Sequence, residues 1–154
     1  MATIEDVYST LVREGVRREF VVVPEFCVST RARLFEKKID VAWLAPRDEP
    51  SRVGSLRRWK IVAAFEIEGY DVPLDRIQMH SAQFQQIWAE EEGRFPCFVP
   101  LYTSALHRTD PHWGTGNPEP HIEKRKAEAA KWGNVVRVQD GRDLAWLREI
   151  SPTV

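Results

Sequence analysis

The sequence predicts a single α/β domain over residues 1–154, and three observations lead to that class. Apolar, β-branched runs of strand length alternate with segments whose apolar residues recur at helical spacing. A chain of 154 residues with 43% hydrophobic and 29% charged residues is typical of one globular domain with its own core. The sequence has no internal repeat and no change in composition that marks a domain boundary.

The first predicted element is a helix. Thr3 is followed by acidic residues in the first turn, which favours a helix start. An apolar stripe at helical spacing then gives the helix its buried face: Ile4, Val7, Tyr8 and Leu11. We expect Gly15 to end this helix.

Three strands are predicted next, over residues 20–28, 39–45 and 59–69. Pro24 lies in the first of them and indicates a bulge or an edge position. A basic, polar stretch separates the first two strands, and a charged loop containing Pro and Gly, residues 46–55, separates the second from the third.

The third strand organises the prediction. Its long apolar run indicates a strand buried on both faces. Side chains alternate along a strand, which puts Ile61, Ala63, Phe65 and Ile67 on one face and Val62, Ala64, Glu66 and Glu68 on the other. Two carboxylates that point the same way repel each other, and burying them without a partner is costly. The pattern therefore predicts a positive partner, of which a divalent metal ion is the simplest.

In the second half of the chain, apolar periodicity predicts a helix from about Leu74 to about residue 92 and a strand over 95–102. A long loop over 103–120 and a C-terminal helix–strand–helix over 121–150 follow. The prolines of the 95–102 strand are awkward for a central position. A loop as long as 103–120 is usually functional or mobile. The core is expected within residues 3–102.

Composition excludes some partners. A net charge of −1 gives no global attraction to nucleic acid, so binding would need a local basic patch. The N-terminus lacks the pattern of a signal peptide and no run reaches membrane-spanning length, which predicts a cytoplasmic protein without a membrane partner. Cys27 and Cys97 are expected to be reduced and buried, and no Cys-x-x-Cys pair suggests zinc.

The order of elements and the motif Ile39-Asp40 followed by Glu66-Ile67-Glu68 resemble the PD-(D/E)XK, or restriction-endonuclease-like, nuclease superfamily. That family has an αβββαβ core with a central mixed sheet flanked by helices, and the resemblance covers residues 4–102. Ile39 stands where the family has Pro. Glu68 stands where it has Lys, although a few type II restriction enzymes carry Glu-x-Glu.

The resemblance implies a metal-dependent endonuclease that uses Mg²⁺ or Mn²⁺. It makes Asp40 and Glu66 metal ligands, helped by the Ile67 carbonyl. It gives Glu68 the role of general base, water-orienting group or second-metal ligand. Glu25 on the first strand matches an upstream acid of the family by position only, as an outer or second-metal ligand.

The resemblance also implies contacts with nucleic acid, for which DNA is the expected partner. His80 or Gln78, on the helix after the third strand, matches a polar family residue near the scissile phosphate. Basic residues flanking the acidic strands would follow the phosphate backbone: Arg31, Arg33, Lys38, Arg57, Arg58 and Lys60. A domain of this size is expected to work as a homodimer or in a larger assembly.

Each residue also has a plainer interpretation. Asp40 would pair with Lys37 or Lys38, and Glu66 with an arginine. Glu68 would be a solvated strand end, Glu25 a surface residue, His80 a packing histidine, and the basic runs solvated faces. The corresponding alternative functions are a nuclease-like fold that only binds nucleic acid or a protein, and an α/β interaction protein.

Overall fold

The computed structural model describes residues 3–29, 36–48, 58–91, 94–103 and 118–150. Three of the predicted nucleic-acid-binding residues, Arg31, Arg33 and Arg57, lie outside the described residues, as does most of the 103–120 loop. Within the described part of the chain, no helix is long and apolar enough to cross a membrane.

The elements follow the predicted order. Within the described ranges, three α-helices span Ile4–Arg17 (α1), Leu74–Glu91 (α2) and Glu119–Lys131 (α3). The same ranges contain six strands: Val21–Ser29 (β1), Glu36–Pro46 (β2), Trp59–Phe65 (β3), Glu68–Gly69 (β4), Cys97–Tyr102 (β5) and Val136–Asp140 (β6). The last predicted helix is a 3₁₀ helix over Ala145–Glu149.

The strands form one mixed open sheet, so the α/β class is confirmed. β1, β2 and β3 pair in sequence and antiparallel, and β1 lies at the sheet edge as Pro24 suggested. β5 runs parallel to β3 and β4 on one side and to β6 on the other. β5 is therefore central despite its prolines.

β3 and β4 are one predicted strand with an interruption at Glu66 and Ile67. Ala64 pairs with Cys97 and Glu68 with Leu101 at the same offset, so Ile67 lies opposite Pro100. Pro100 has no N–H to donate to the ladder. The break in the third strand follows from this proline on its neighbour.

The core has two parts, one on each face of the sheet. α1 and the 3₁₀ helix cover one face, and α2 and α3 cover the other. The prediction that Gly15 ends α1 is wrong, because the helix continues to Arg17. A Cβ on Gly15 would lie 2.5 Å from Trp43, so this glycine permits close packing of α1 on the sheet.

The predicted faces of the third strand are confirmed only from Ala63 onward. Trp43 pairs with Ala63 and Leu44 with Ile61, so Val62 is an extra residue in a β-bulge. The bulge puts Ile61 on the α2 face and Val62 on the α1 face, opposite to the simple alternation. Beyond the bulge the alternation holds. Cys97 is buried as predicted, whereas Cys27 is exposed on the edge strand.

Candidate functional site

Asp40 and Glu66 meet on neighbouring antiparallel strands. The pairs Ala42–Ala64 and Val41–Phe65 continue by one residue to place Asp40 opposite Glu66. The Asp40 Oδ2 atom accepts a hydrogen bond of 2.8 Å from the Ile67 N–H, which anchors this carboxylate at the interruption of the third strand. The predicted convergence of these two acids is therefore seen in the structure.

The partner of Glu66 is Lys37. Both side chains are buried, with 3% of Glu66 and 4% of Lys37 exposed, and Lys37 Nζ lies 2.8 Å from Glu66 Oε1. The contact is an ion pair without the angles of a directed hydrogen bond, because Glu66 Oε1 has no hydrogen-bond partner among the described residues. The arginine partner suggested for Glu66 is thus replaced by a lysine.

Burial raises the pKa of Glu66 to about 8, and the neighbouring Asp40 carboxylate contributes in the same direction. Lys37 opposes both effects without cancelling them. Loss of hydration therefore outweighs the ion pair, and Glu66 retains a proton through much of the neutral range.

His80 joins Lys37 to Glu68. Lys37 Nζ lies 2.9 Å from His80 Nδ1, and His80 Nε2 lies 3.0 Å from Glu68 Oε1. An ammonium can only donate, so Nδ1 accepts, and the hydrogen of the neutral ring is on Nε2, from which it is donated to Glu68. Burial lowers the pKa of His80, the nearby ammonium adds to this effect, and Glu68 opposes it. Both findings favour a neutral imidazole.

Glu68 is less buried than Glu66 and has two partners, one hydrogen-bonded and one ion-paired. Besides His80, the Arg76 guanidinium lies 3.6 Å from Glu68 Oε1. Glu66 and Glu68 both face α2, as the alternation predicted. The solvated strand end proposed as the plainer interpretation of Glu68 does not describe this residue.

These side chains line an open pocket of about 390 Å³, here called the acidic pocket. Its remaining wall comes from α2 and from the start of β2. The lining residues are Glu36, Lys37, Lys38, Asp40, Glu66, Ile67, Glu68, Arg76, Met79, His80 and Gln83. Four acidic side chains thus lie beside three cationic ones.

Glu25 lies apart from the acidic pocket. Pro24 pairs with Val41 and Phe26 with Ile39, so Glu25 is across from Asp40, at an exposed position with a φ of 50°. It lines a second pocket of about 440 Å³ on the α1 side, to which Asp40 also contributes. Asp40 is the carboxylate shared by both pockets.

The predicted nucleic-acid-binding residues are dispersed. Lys38 lines the acidic pocket. Lys60 and Arg58 lie at or before the other end of β3, about 20 Å from Glu66 at the usual rise per strand residue. Gln78 donates a hydrogen bond of 2.7 Å to Glu128 on α3 and does not line the acidic pocket.

The donor set was compared with the needs of a divalent metal ion. Among the described residues no group of three or more His, Cys, Asp or Glu side chains is arranged to hold a metal. Mg²⁺, however, is usually held by one or two carboxylates together with waters and substrate phosphates. The Asp40 and Glu66 carboxyl groups, which lie close enough for Asp40 to raise the pKa of Glu66, fit that requirement.

Lys37 is the site residue that sequence reasoning did not assign. β2 begins at Glu36 rather than at residue 39, so Lys37 belongs to the strand and shares a face with buried Ile39. The sequence does contain a pattern that predicts this position. Lys37 and Ile39 are two residues apart, and residues two apart lie on the same face of an extended strand. Arg76 and Gln83 on α2 were also missed.

We compared the chain with protein-family models, with curated proteins and with solved structures, and none of the three comparisons gave a match.

Proposed function

We propose that the chain is a metal-dependent nuclease that hydrolyses phosphodiester bonds of DNA in the acidic pocket. The observation that carries the proposal is the juxtaposition of Asp40 and Glu66, whose carboxylates suit a hard divalent cation. Lys38 and Arg76 line the same pocket and suit the phosphate backbone. One open pocket thus offers acidic groups for a metal ion and cationic groups for a phosphodiester, which is the combination that a metal-dependent phosphodiesterase requires.

The topology gives further support. The chain runs through one helix, three antiparallel strands, a helix and a strand parallel to the third. This order supports the resemblance to the αβββαβ core of the PD-(D/E)XK nucleases. The positions of Asp40 on the second strand and of Glu66 just after the third are consistent with that motif.

Each acidic or basic residue of the pocket has its own role in this proposal. Asp40 and Glu66 hold the metal ion, which when bound polarises a phosphate oxygen and lowers the pKa of a bound water. Glu68, oriented by His80 and Arg76, positions the attacking water through a hydrogen bond to its carboxylate. Lys38, exposed at the rim, attracts the phosphate backbone.

The decisive experiment is calorimetric titration of Mn²⁺ into the wild type and into Asp40→Asn and Glu66→Gln, with and without a DNA duplex. We expect binding by the wild type and its loss in both variants. Glu128→Gln is the matched control, because Glu128 is a buried carboxylate bonded to Gln78 outside the acidic pocket. Absence of Mn²⁺ binding by the wild type with DNA present would overturn the proposal.

A second candidate is a non-catalytic module that binds nucleic acid through the same pocket. The observation that favours it is the Lys37–Glu66 ion pair, which already compensates the acid that a metal would need. This candidate predicts DNA binding without Mn²⁺ binding and without cleavage. It also predicts that Glu66→Gln binds DNA as the wild type does, measurable by fluorescence anisotropy.

A further inference from the structure

Lys37 has an unusual position for a lysine. Its ammonium is buried, lies between Glu66 Oε1 at 2.8 Å and His80 Nδ1 at 2.9 Å, and stands 5.1 Å from the centre of the Phe84 ring. A lysine is almost never fully buried unless it is paired. The site is therefore built around this cation.

The Lys37 ammonium and a divalent ion would compete for the Glu66 carboxylate. Lys37 Nζ lies 2.8 Å from Glu66 Oε1, on one of the two side chains that would hold a metal ion. A divalent ion on the same carboxylate would lie a few ångströms from the ammonium, where like charges repel strongly in a partly dry site. Metal binding must therefore weaken the Lys37–Glu66 pair.

A phosphate in the acidic pocket has the opposite effect. Lys37 lines this pocket, and its ammonium lies 2.9 Å from His80 Nδ1. An anionic phosphate oxygen offers the ammonium a second partner, and Glu66 is then released for the metal ion. Phosphate and metal should each increase the affinity of the other, because such coupling is reciprocal.

We propose that Lys37 is the resident cation beside Glu66 and that it couples metal binding to phosphodiester binding. The inference rests on the proposed nuclease function. It assigns Lys37 the role of a positioning residue that keeps the metal site weak until a phosphodiester is present. Substrate would then favour loading of the metal.

The test is Mn²⁺ calorimetry on the full chain, alone and with saturating dimethyl phosphate, a small phosphodiester that does not need recognition of a sequence. Lys37→Met removes the charge but keeps the length of the side chain, and Lys37→Arg keeps the charge. Lys38→Met is the matched control, because Lys38 is the adjacent, exposed lysine of the same pocket. Circular dichroism and thermal melts establish that each variant is folded.

We expect Lys37→Met to bind Mn²⁺ about tenfold more tightly than the wild type without phosphate, within the usual range of such coupling. Dimethyl phosphate should tighten Mn²⁺ binding in the wild type, in Lys37→Arg and in Lys38→Met, and have no effect in Lys37→Met. Equal or weaker Mn²⁺ binding by Lys37→Met, or coupling that persists in it, would overturn the role of Lys37 and leave the nuclease proposal standing. Failure of every variant to bind Mn²⁺, with and without dimethyl phosphate, would overturn both.

Discussion

Replacing Glu66 with Gln should change how the stability of the chain depends on pH. Gln resembles the protonated acid in size and polarity, so the variant removes the ionisation and keeps the packing. The pKa of Glu66 is raised to about 8 in the folded chain, from an ordinary value of 4.5. Between these values the folded chain holds a proton that the unfolded chain has released. The contribution of Glu66 to the free energy of unfolding must therefore fall as pH rises through this window.

The size of the effect follows from the width of the window. The pKa of Glu66 differs between the unfolded chain (4.5) and the folded chain (about 8). At about 1.4 kcal/mol per pKa unit, the free energies of unfolding of the variant and the wild type can differ by at most about 5 kcal/mol. The free energy of unfolding of Glu66→Gln should equal that of the wild type near pH 4.5. It should exceed the wild-type value by an increasing amount up to about pH 8 and by a constant amount above that pH.

Urea denaturation of both proteins at a series of pH values measures this difference directly. Glu14→Gln is an informative control, because Arg17 lowers the pKa of Glu14 and the difference for this residue should therefore have the opposite sign. If the advantage of Glu66→Gln shrinks or reverses as pH rises, the Lys37 ion pair outweighs the lost hydration, and the reasoning about Glu66 is refuted.

Three further outcomes test other parts of the structure. Gly15→Ala should lower the free energy of unfolding by about 1–3 kcal/mol, since its Cβ would meet Trp43, and an unchanged urea midpoint would contradict this packing. Burial raises the pKa of Tyr70 to about 12, and its hydroxyl donates to Asp140. Absorbance titration should therefore show that Tyr70→Phe loses the tyrosine that ionises near pH 12, whereas loss of one ionising near 10 would argue against burial. NMR titration of His80 should give a midpoint below 6.5, because burial favours the neutral ring, and a higher midpoint would show a charged imidazole.

Local pattern was sufficient for much of the fold. Helical and strand periodicity gave the elements in order, and the alternation beyond Ala63 placed Glu66 and Glu68 on one face of the sheet, as the structure shows. The convergence of Asp40 with Glu66 was also predictable, because strands joined directly along the chain are usually neighbours.

The features that the sequence did not reveal depend on contacts between distant residues. The start of β2 at Glu36 is set by pairing with Ser29, and this pairing is what brings Lys37 into the site. The bulge at Val62 is a shift in the pairing of β3 with β2, and Gly15 lies where α1 packs closely on Trp43. Periodicity along one segment carries no information about such partners.

Pro100 connects the fold to the site. Its missing N–H argues against a central strand, yet β5 is central, and Pro100 lies opposite Ile67, where the third strand is interrupted. On the other side of the same interruption, the Ile67 N–H is bonded to the Asp40 carboxylate instead of to a strand partner. A proline on one neighbour and an aspartate on the other thus interrupt the ladder at residues 66 and 67, although the Glu66 N–H still donates to the Phe98 carbonyl. The carboxylates of Asp40 and Glu66 are held where regular pairing stops, so the interruption is part of the site and not a defect of the sheet.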